Sequence, residues 1–190
     1  MVRVLTHRGP DDEGYVELPG VGLAMRRLAI VDIAGGRQPF TSEDGDIYLV
    51  ANGEIYNHHE LRETLIAHGH HFRSESDIEV LVHAYEQWGT SFLEYIHGMF
   101  AIALWDSKQR IFLAARDRAG EKPLYYAENG STLVFASEIK AILASGMVDR
   151  DVDLEALDQF LTYEYVITPR TIFSQIRRLP AAHYLLYRDG

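Results

Sequence analysis

Residues 98–106 read Gly-Met-Phe-Ala-Ile-Ala-Leu-Trp-Asp, and residues 111–115 read Ile-Phe-Leu-Ala-Ala. Residues 99–105 and 111–115 are apolar at every position, which predicts two strands in a sheet that is covered on both faces. A short polar turn, Asp106-Ser107-Lys108-Gln109, separates the two runs, and a connection this short joins antiparallel strands. The stretch therefore predicts an antiparallel sheet with further structure packed on each side.

Other short apolar runs, bounded by turn residues, predict more strands of the same kind. The run Ile47–Ala51 predicts a buried strand that ends at Asn52-Gly53, and Asn129-Gly130 predicts a hairpin turn. We expect these further strands at residues 21–24, 29–33, 47–51, 124–127, 133–136 and 183–187.

Helices are predicted between these strands. Asn57 with Glu60, and Ser76 with Glu79, have the spacing of a capping box ahead of apolar residues at helical intervals. Such helices would cover the sheets, so the sequence predicts a layered α+β protein. We expect helices to follow the two capping boxes, and others near residues 92–96, 138–143 and 153–162.

Length and composition predict one domain over residues 1–190. We expect this domain to be cut at both ends; at the C-terminal end, Asp189-Gly190 is a turn dipeptide without a returning strand. The formal net charge of −10 argues against nucleic-acid binding. No apolar run approaches the ~20 residues that span a membrane. Cysteine is absent, which excludes disulfides and thiolate chemistry within this chain and suits the cytoplasm.

Five residues could form a pocket for a free amino acid. Arg27 precedes an apolar run and could bind a carboxylate, whereas Glu54 and Asp77 could bind an ammonium group. Asn52 and Gly53 could place two donors where an oxyanion forms. Four of them also have an ordinary structural explanation: a solvated charge for Arg27, a helix N-terminus for Asp77 and a simple turn for Asn52-Gly53.

The histidines are the remaining candidates for chemistry. His58-His59 and the group His68, His70 and His71 lie on either side of a predicted helix. No third ligand stands at a recognisable metal-binding spacing. We therefore interpret them as a solvated polar face and predict no metal site.

The ordered motifs of the chain closely resemble the N-terminal glutaminase domain of glutamine-dependent asparagine synthetases and their amidotransferase relatives. The Asn-Gly-Glu-Ile-Tyr-Asn form points to the asparagine-synthetase branch. In chain order the matching segments are His7–Asp11, Arg27–Asp32, Asn52–Asn57, Ser76–Val80, Gly98–Asp106, Arg116–Tyr126, Phe135–Ala141 and Thr171–Phe173.

This resemblance implies the four-layer αββα N-terminal-nucleophile hydrolase fold, with two mostly antiparallel sheets between helices. It also implies hydrolysis of glutamine to glutamate and ammonia, and a downstream synthetase domain that uses ATP and Mg to amidate aspartate; no cofactor is expected in this chain, and a homodimer is left open. By resemblance, Arg27 binds the glutamine α-carboxylate, Asp77 and Glu54 the ammonium, and Asn52 and Gly53 the oxyanion. The backbone of Leu28, Ile30 and Val31 lines the pocket, and Arg8, Glu138 and Lys140 lie near the synthetase interface.

The clearest departure from the family is the missing nucleophile. The family uses an N-terminal cysteine whose own α-amine is the general base, and this chain has none. We therefore expect the chain by itself to be inactive. Two alternatives remain: a catalytically dead domain that binds glutamine or a partner, and a sister amidotransferase whose ammonia goes to another acceptor.

Overall fold

The computed structural model describes residues 1–29, 32 and 35–188. Its helices are α1 (His58–Ala67), α2 (Glu79–Trp88), α3 (Phe92–Tyr95), α4 (Ile139–Leu143) and α5 (Leu154–Tyr163), with 3-10 turns at Val2–Leu5 and Gly89–Ser91. Its strands are β1 (Asp12–Leu18), β2 (Val21–Arg27), β3 (Phe40–Thr41), β4 (Ile47–Ile55), β5 (Gly98–Asp106), β6 (Ile111–Arg116), β7 (Tyr125–Asn129), β8 (Thr132–Ala136), β9 (Arg177–Arg178) and β10 (Tyr184–Arg188).

The central sheet confirms the prediction from residues 98–115. Its order is β10-β6-β5-β4-β3, and every neighbouring pair is antiparallel. All six residues of β6 are buried, as are Phe100 to Asp106 of β5. Strands buried on both faces require a packed layer on each side, and the structure supplies both layers.

One face of the central sheet packs against α1 and α2. Leu49, Ile102 and Leu104 alternate onto this face and join Leu65 and Leu81 of the helices in one apolar core. Alternation along a strand sends the intervening residues to the opposite face. That opposite face, which includes Val50 and Ala103, meets a second β layer.

The second β layer consists of two separate antiparallel sheets, the hairpin β1-β2 and the sheet β8-β7-β9. The outer side of β7 and β8 packs against α4 through Ala127, Val134 and Ile142. The order of layers is therefore helix, sheet, sheet, helix. This arrangement confirms the predicted αββα fold.

The local helix signals were less reliable than the strand pattern. The Asn57 side chain does not cap α1. Instead, its Nδ2 donates to the Tyr95 carbonyl (2.9 Å) and its Oδ1 accepts from the His97 backbone amide (2.9 Å). Glu79, predicted to close a capping box with Ser76, instead accepts from the amides preceding α2. Both predicted capping boxes are therefore wrong, because tertiary partners satisfy these polar groups better than the local backbone does.

None of the helices in the described part of the chain combines the length and the hydrophobicity that crossing a bilayer requires.

Candidate functional site

A cavity of about 890 Å³ lies between the central sheet and the second β layer. It is bounded by the hairpin β1-β2 on one side and β8 on the other, with β4 and β5 as its floor. Ile30 and Val31, also predicted for this pocket, lie outside the described residues. Every other predicted pocket residue lines the cavity: Arg27, Leu28, Asn52, Gly53, Glu54 and Asp77.

Arg27 ends β2 and is only 7% exposed. Its Nη2 donates to the Asp32 carbonyl (2.7 Å), and a Cβ on Gly36 would lie 2.5 Å from that nitrogen. Neighbouring backbone therefore helps to fix the direction of the guanidinium. A fixed, charged fork of this kind suits recognition of a carboxylate.

Asp32 is a positioning residue that the sequence reasoning missed. Its carbonyl accepts from Arg27, and its carboxylate accepts from the amides of Gly35 (2.8 Å) and Glu75 (2.9 Å). It thus joins the loop after β2 to the segment before α2. Its φ of 45° is uncommon for a residue with a side chain, but nothing in the sequence pattern signals that conformation.

Asn52, Gly53 and Glu54 lie within β4, not after it. The prediction that the strand ends at Asn52 was wrong, because pairing with β5 continues to Ile55. Alternation from Val50, which faces the second β layer, places the side chains of Asn52 and Glu54 on the cavity face. A paired strand holds these two side chains more rigidly than a turn would.

Asp77 lies two residues before α2 and not at its first position, which corrects the sequence-based placement. The residue is 6% exposed, and its Oδ2 accepts the Ile55 amide at 2.8 Å. This bond attaches the acidic group to the end of β4, beside Glu54. Two carboxylates on adjoining segments give this end of the cavity the charge that an ammonium group requires.

His58 lies near this acidic end, and the sequence analysis had assigned it to a solvated face. Its Nδ1 is buried and has no hydrogen-bond partner among the described residues. Burial lowers the pKa of His58 and the neighbouring His59 adds to that effect, while Asp77 opposes it. A histidine with a lowered pKa stays neutral at pH 7, so His58 adds no positive charge that would repel a cation.

Arg8, Glu138 and Lys140 form a second cluster, away from the cavity floor. Glu138 contacts His7 Nε2 (2.9 Å), Arg8 Nη1 (3.3 Å) and Lys140 Nζ (3.1 Å). Burial alone would raise the pKa of Glu138, but the hydrogen bonds from these three side chains outweigh burial and lower it. The structure therefore brings together the three residues for which the sequence predicted an interface role.

The fold agrees with comparisons to known proteins. Residues 1–190 match a family model described as a glutamine amidotransferase domain. The chain belongs to the glutamine amidotransferase domain family. It is 46% identical to asparagine synthetase [glutamine-hydrolyzing] 2 of Bacillus subtilis over 97% of its length, and 43% identical to synthetase 3 of that organism over 100%.

These matches cover only part of the relatives. This glutamine amidotransferase domain spans 25% and 32% of the two synthetases. Among solved structures, it resembles glutamine phosphoribosylpyrophosphate amidotransferase from B. subtilis (28% identity, TM-score 0.50, 61% of this chain and 28% of the other). It also resembles the allosteric regulatory enzyme of purine biosynthesis (26% identity, TM-score 0.56, 70% of this chain and 31% of the other). The chain is therefore homologous to the glutaminase region of glutamine-hydrolysing asparagine synthetases.

Gly53 is required by the close approach of β4 and β5 in this amidotransferase domain. A Cβ at Gly53 would lie 2.0 Å from the Met99 carbonyl oxygen and 2.7 Å from the Phe100 Cα. We expect Gly53→Ala to force the strands apart and to lower the free energy of unfolding by about 1–3 kcal/mol. Urea denaturation measures this change. Gly22→Ala in β2 is the control, because a Cβ there meets nothing within 4 Å; an equal loss in both variants would contradict the steric explanation.

Proposed function

We propose that this chain is the glutaminase domain of a glutamine-dependent asparagine synthetase. The observation that carries the proposal is that Arg27, Asn52, Glu54 and Asp77 all line the same cavity. A free α-amino acid presents a carboxylate and an ammonium group that such a set can bind. Glutamine adds a side-chain amide, whose hydrolysis needs donors for an oxyanion.

Each of the predicted pocket residues has a role in this proposal. Arg27 binds the α-carboxylate of glutamine, while Asp77 and Glu54 bind its α-ammonium. The side-chain amide of Asn52 and the backbone N–H of Gly53 stabilise the oxyanion that forms on the side-chain carbonyl. Leu28 lines the same cavity as Arg27.

The complete reaction requires groups beyond this chain. The chain contains no cysteine, so we propose that by itself it binds glutamine without hydrolysing it. In the whole protein, the ammonia would pass to a synthetase domain that uses ATP and Mg to amidate aspartate. Two observations support a separate synthetase domain: the relatives are named as glutamine-hydrolysing asparagine synthetases, and the chain spans only 25–32% of their length. The cluster around Glu138 is the proposed contact with that domain.

A sister amidotransferase with another acceptor is a second candidate. The chain is 38% identical to amidase chyE of Penicillium rubens over 97% of its length, so this domain also resembles a protein that is not named a synthetase. The acceptor would be chosen outside this domain. Incubating the full-length parent protein with aspartate, ATP, Mg²⁺ and glutamine distinguishes the two: asparagine formation supports the synthetase, and its absence from an active glutaminase supports the sister enzyme.

Arg27→Lys tests the proposed pocket. Lysine keeps the charge but loses the planar fork, so we expect the affinity for L-glutamine to fall by about 10–150-fold, the equivalent of about 1.5–3 kcal/mol for charge-assisted hydrogen bonds. Isothermal titration calorimetry on the 190-residue chain measures the change.

Arg37→Lys provides the matched control for this measurement. Arg37 is exposed and pairs with Asp12 at 2.9 Å, outside the cavity lining. Glutamine affinity should therefore be unaffected by that substitution. If the folded chain bound no glutamine, or bound it equally well without the Arg27 fork, the proposed pocket would be wrong.

A further inference from the structure

A group of four acidic and histidine side chains lies at the surface of the helical layer, on three segments that are distant in sequence. Glu43 comes from the turn between β3 and β4, His70 from the turn after α1, and His83 and Glu86 from α2. Glu43, His70 and His83 place ligand atoms within 4.8 Å of one another. From this geometry we propose that the four side chains bind a divalent transition-metal ion, most suitably Zn²⁺.

The Nδ1 atoms of both histidines lie close to both carboxylates. His70 Nδ1 lies 3.7 Å from Glu43 Oε1 and 3.8 Å from Glu86 Oε2. His83 Nδ1 lies 4.0 Å and 2.9 Å from the same two oxygens. Zinc bonds of about 2.0–2.2 Å in tetrahedral geometry separate neighbouring ligand atoms by about 3.3–3.5 Å. These four distances lie on either side of that value. Small rotations of the side chains would bring these nitrogen and oxygen atoms to the separations that a bound ion requires.

The second nitrogen of each histidine faces an oxygen that orients the ring. His70 Nε2 lies 3.2 Å from Gln87 Oε1, and His83 Nε2 lies 3.8 Å from Glu79 Oε1. With a proton on Nε2, the Nδ1 lone pair can bind an ion; at His83 the ion would displace the Nδ1 proton that is donated to Glu86 Oε2 (2.9 Å) in the metal-free chain. Metal-binding histidines in proteins are oriented in the same way by a carboxylate or carbonyl oxygen.

Glu79 is itself firmly placed. Its two oxygens accept from the amides of Arg73 and Ser74, each at 2.8 Å, and from the Ser74 hydroxyl at 2.6 Å. His83 is 2% exposed and also packs edge-on against Phe72, with ring centroids 4.5 Å apart. The part of the site on α2 is therefore preorganised before any ion binds.

The charges around His83 also favour a cation. Three carboxylates, Glu43, Glu79 and Glu86, surround two histidines. The Glu43 carboxylate also accepts a hydrogen bond from the His71 amide (2.8 Å).

The ligand set selects the class of ion. Two imidazole nitrogens and two carboxylate oxygens suit Zn²⁺ and its transition-metal neighbours, whereas Mg²⁺ and Ca²⁺ prefer oxygen ligands alone. Four protein ligands leave no open position, which is typical of a structural site. The bound ion would cross-link the turn before β4, the turn after α1, and α2.

The sequence analysis found no third ligand for His70, because its partners are 13 to 27 residues away on other elements. Among the described residues, the fold brings Glu43 Oε1 to 3.7 Å and Glu86 Oε2 to 3.8 Å from His70 Nδ1. The earlier interpretation of a solvated polar face is therefore replaced, for His70 only, by this proposal.

Zinc binding to the 190-residue chain tests the proposal. The affinity tag is removed, because a polyhistidine tag binds zinc itself, and Zn²⁺ is titrated in competition with a chromogenic chelator. We expect one equivalent to bind and, at zinc 100-fold above Kd, the Tm to rise by about 5–10 °C. Co²⁺ should give the strong visible absorption of a tetrahedral complex, and Mg²⁺ should not displace it.

Two substitutions at partly exposed ligands, Glu43→Gln and His70→Ala, should each weaken zinc binding by at least about tenfold while circular dichroism shows a folded chain. His68→Ala is the matched control, since His68 is exposed in the same turn and its Nδ1 contacts the Thr64 carbonyl at 2.8 Å. The chain contains nine histidines, so adventitious binding would be lowered equally by His68→Ala. That result, or no zinc binding by the folded chain, would overturn the proposal.

Discussion

The chain as given should release no glutamate from glutamine, whereas the same chain extended upstream by a related segment that begins with cysteine should release it. The proposed pocket supplies binding and an oxyanion site, but the reaction needs a thiolate to form the acyl intermediate, and the chain has no cysteine. Met1 and Val2 line the same cavity as Asn52 and Gly53. A segment joined before Met1 would therefore connect to the chain at the wall of the cavity that contains the proposed oxyanion site.

The measurement is an enzyme-coupled assay of glutamate release, performed on both proteins after a glutamine-binding check by calorimetry. In the extended protein, Asn52→Ala should lower kcat by about 10²–10³-fold, because one oxyanion donor is lost. The control replaces the added cysteine by alanine and should return the activity to zero. Glutamate release by the unextended chain would refute the mechanism. Glutamine binding without turnover in the extended protein would favour the non-catalytic alternative.

Asp117→Asn should cause the largest loss of stability among the substitutions considered. Asp117 follows β6, is 1% exposed, and accepts from the amides of Phe100 (3.3 Å), Glu121 (2.9 Å) and Lys122 (2.9 Å). Its carboxylate thus holds the turn after β6 against β5. An asparagine keeps one acceptor oxygen but points an NH₂ group at amides that need an acceptor. We therefore expect the substitution to lower the free energy of unfolding by about 3–5 kcal/mol.

The same substitution has a defined pH dependence. Burial alone would raise the pKa of Asp117, but the backbone hydrogen bonds outweigh burial and lower it. A carboxyl group with a lowered folded-state pKa stabilises the fold above its ordinary pKa of about 3.9, and this stabilisation is lost as the pH falls through the folded-state value. The difference in the free energy of unfolding between the unchanged chain and Asp117→Asn should therefore reach its full value at pH 7 and become smaller below about pH 4.

Urea denaturation at several pH values measures this difference. Asp158→Asn is the control, because Asp158 is exposed on α5 and its removal should change stability by less than about 0.5 kcal/mol. A stability difference that did not depend on pH would show that the charge of Asp117 is not what holds the turn.

The predictions of the two central strands succeeded because burial on both faces of a sheet requires an apolar residue at almost every position. Residues 99–105 and 111–115 are apolar throughout, and only a sheet between two packed layers gives such runs a favourable environment. The capping boxes failed for the converse reason. Asn57 and Glu79 each carry polar groups that several partners can satisfy, and the local sequence does not reveal which partner the fold brings closest.

The amino-acid sequence by itself therefore determined the layered α+β fold and the chemical types of the pocket residues: a guanidinium, two carboxylates, an amide and a glycine. Tertiary structure decided which of them meet. It extended β4 through Asn52 and Glu54 and attached Asp77 to Ile55. It also brought Glu43 and His70 to α2. The physical reason is that apolar burial depends on a repeating local pattern, whereas a polar site depends on single contacts between residues that are distant in the chain.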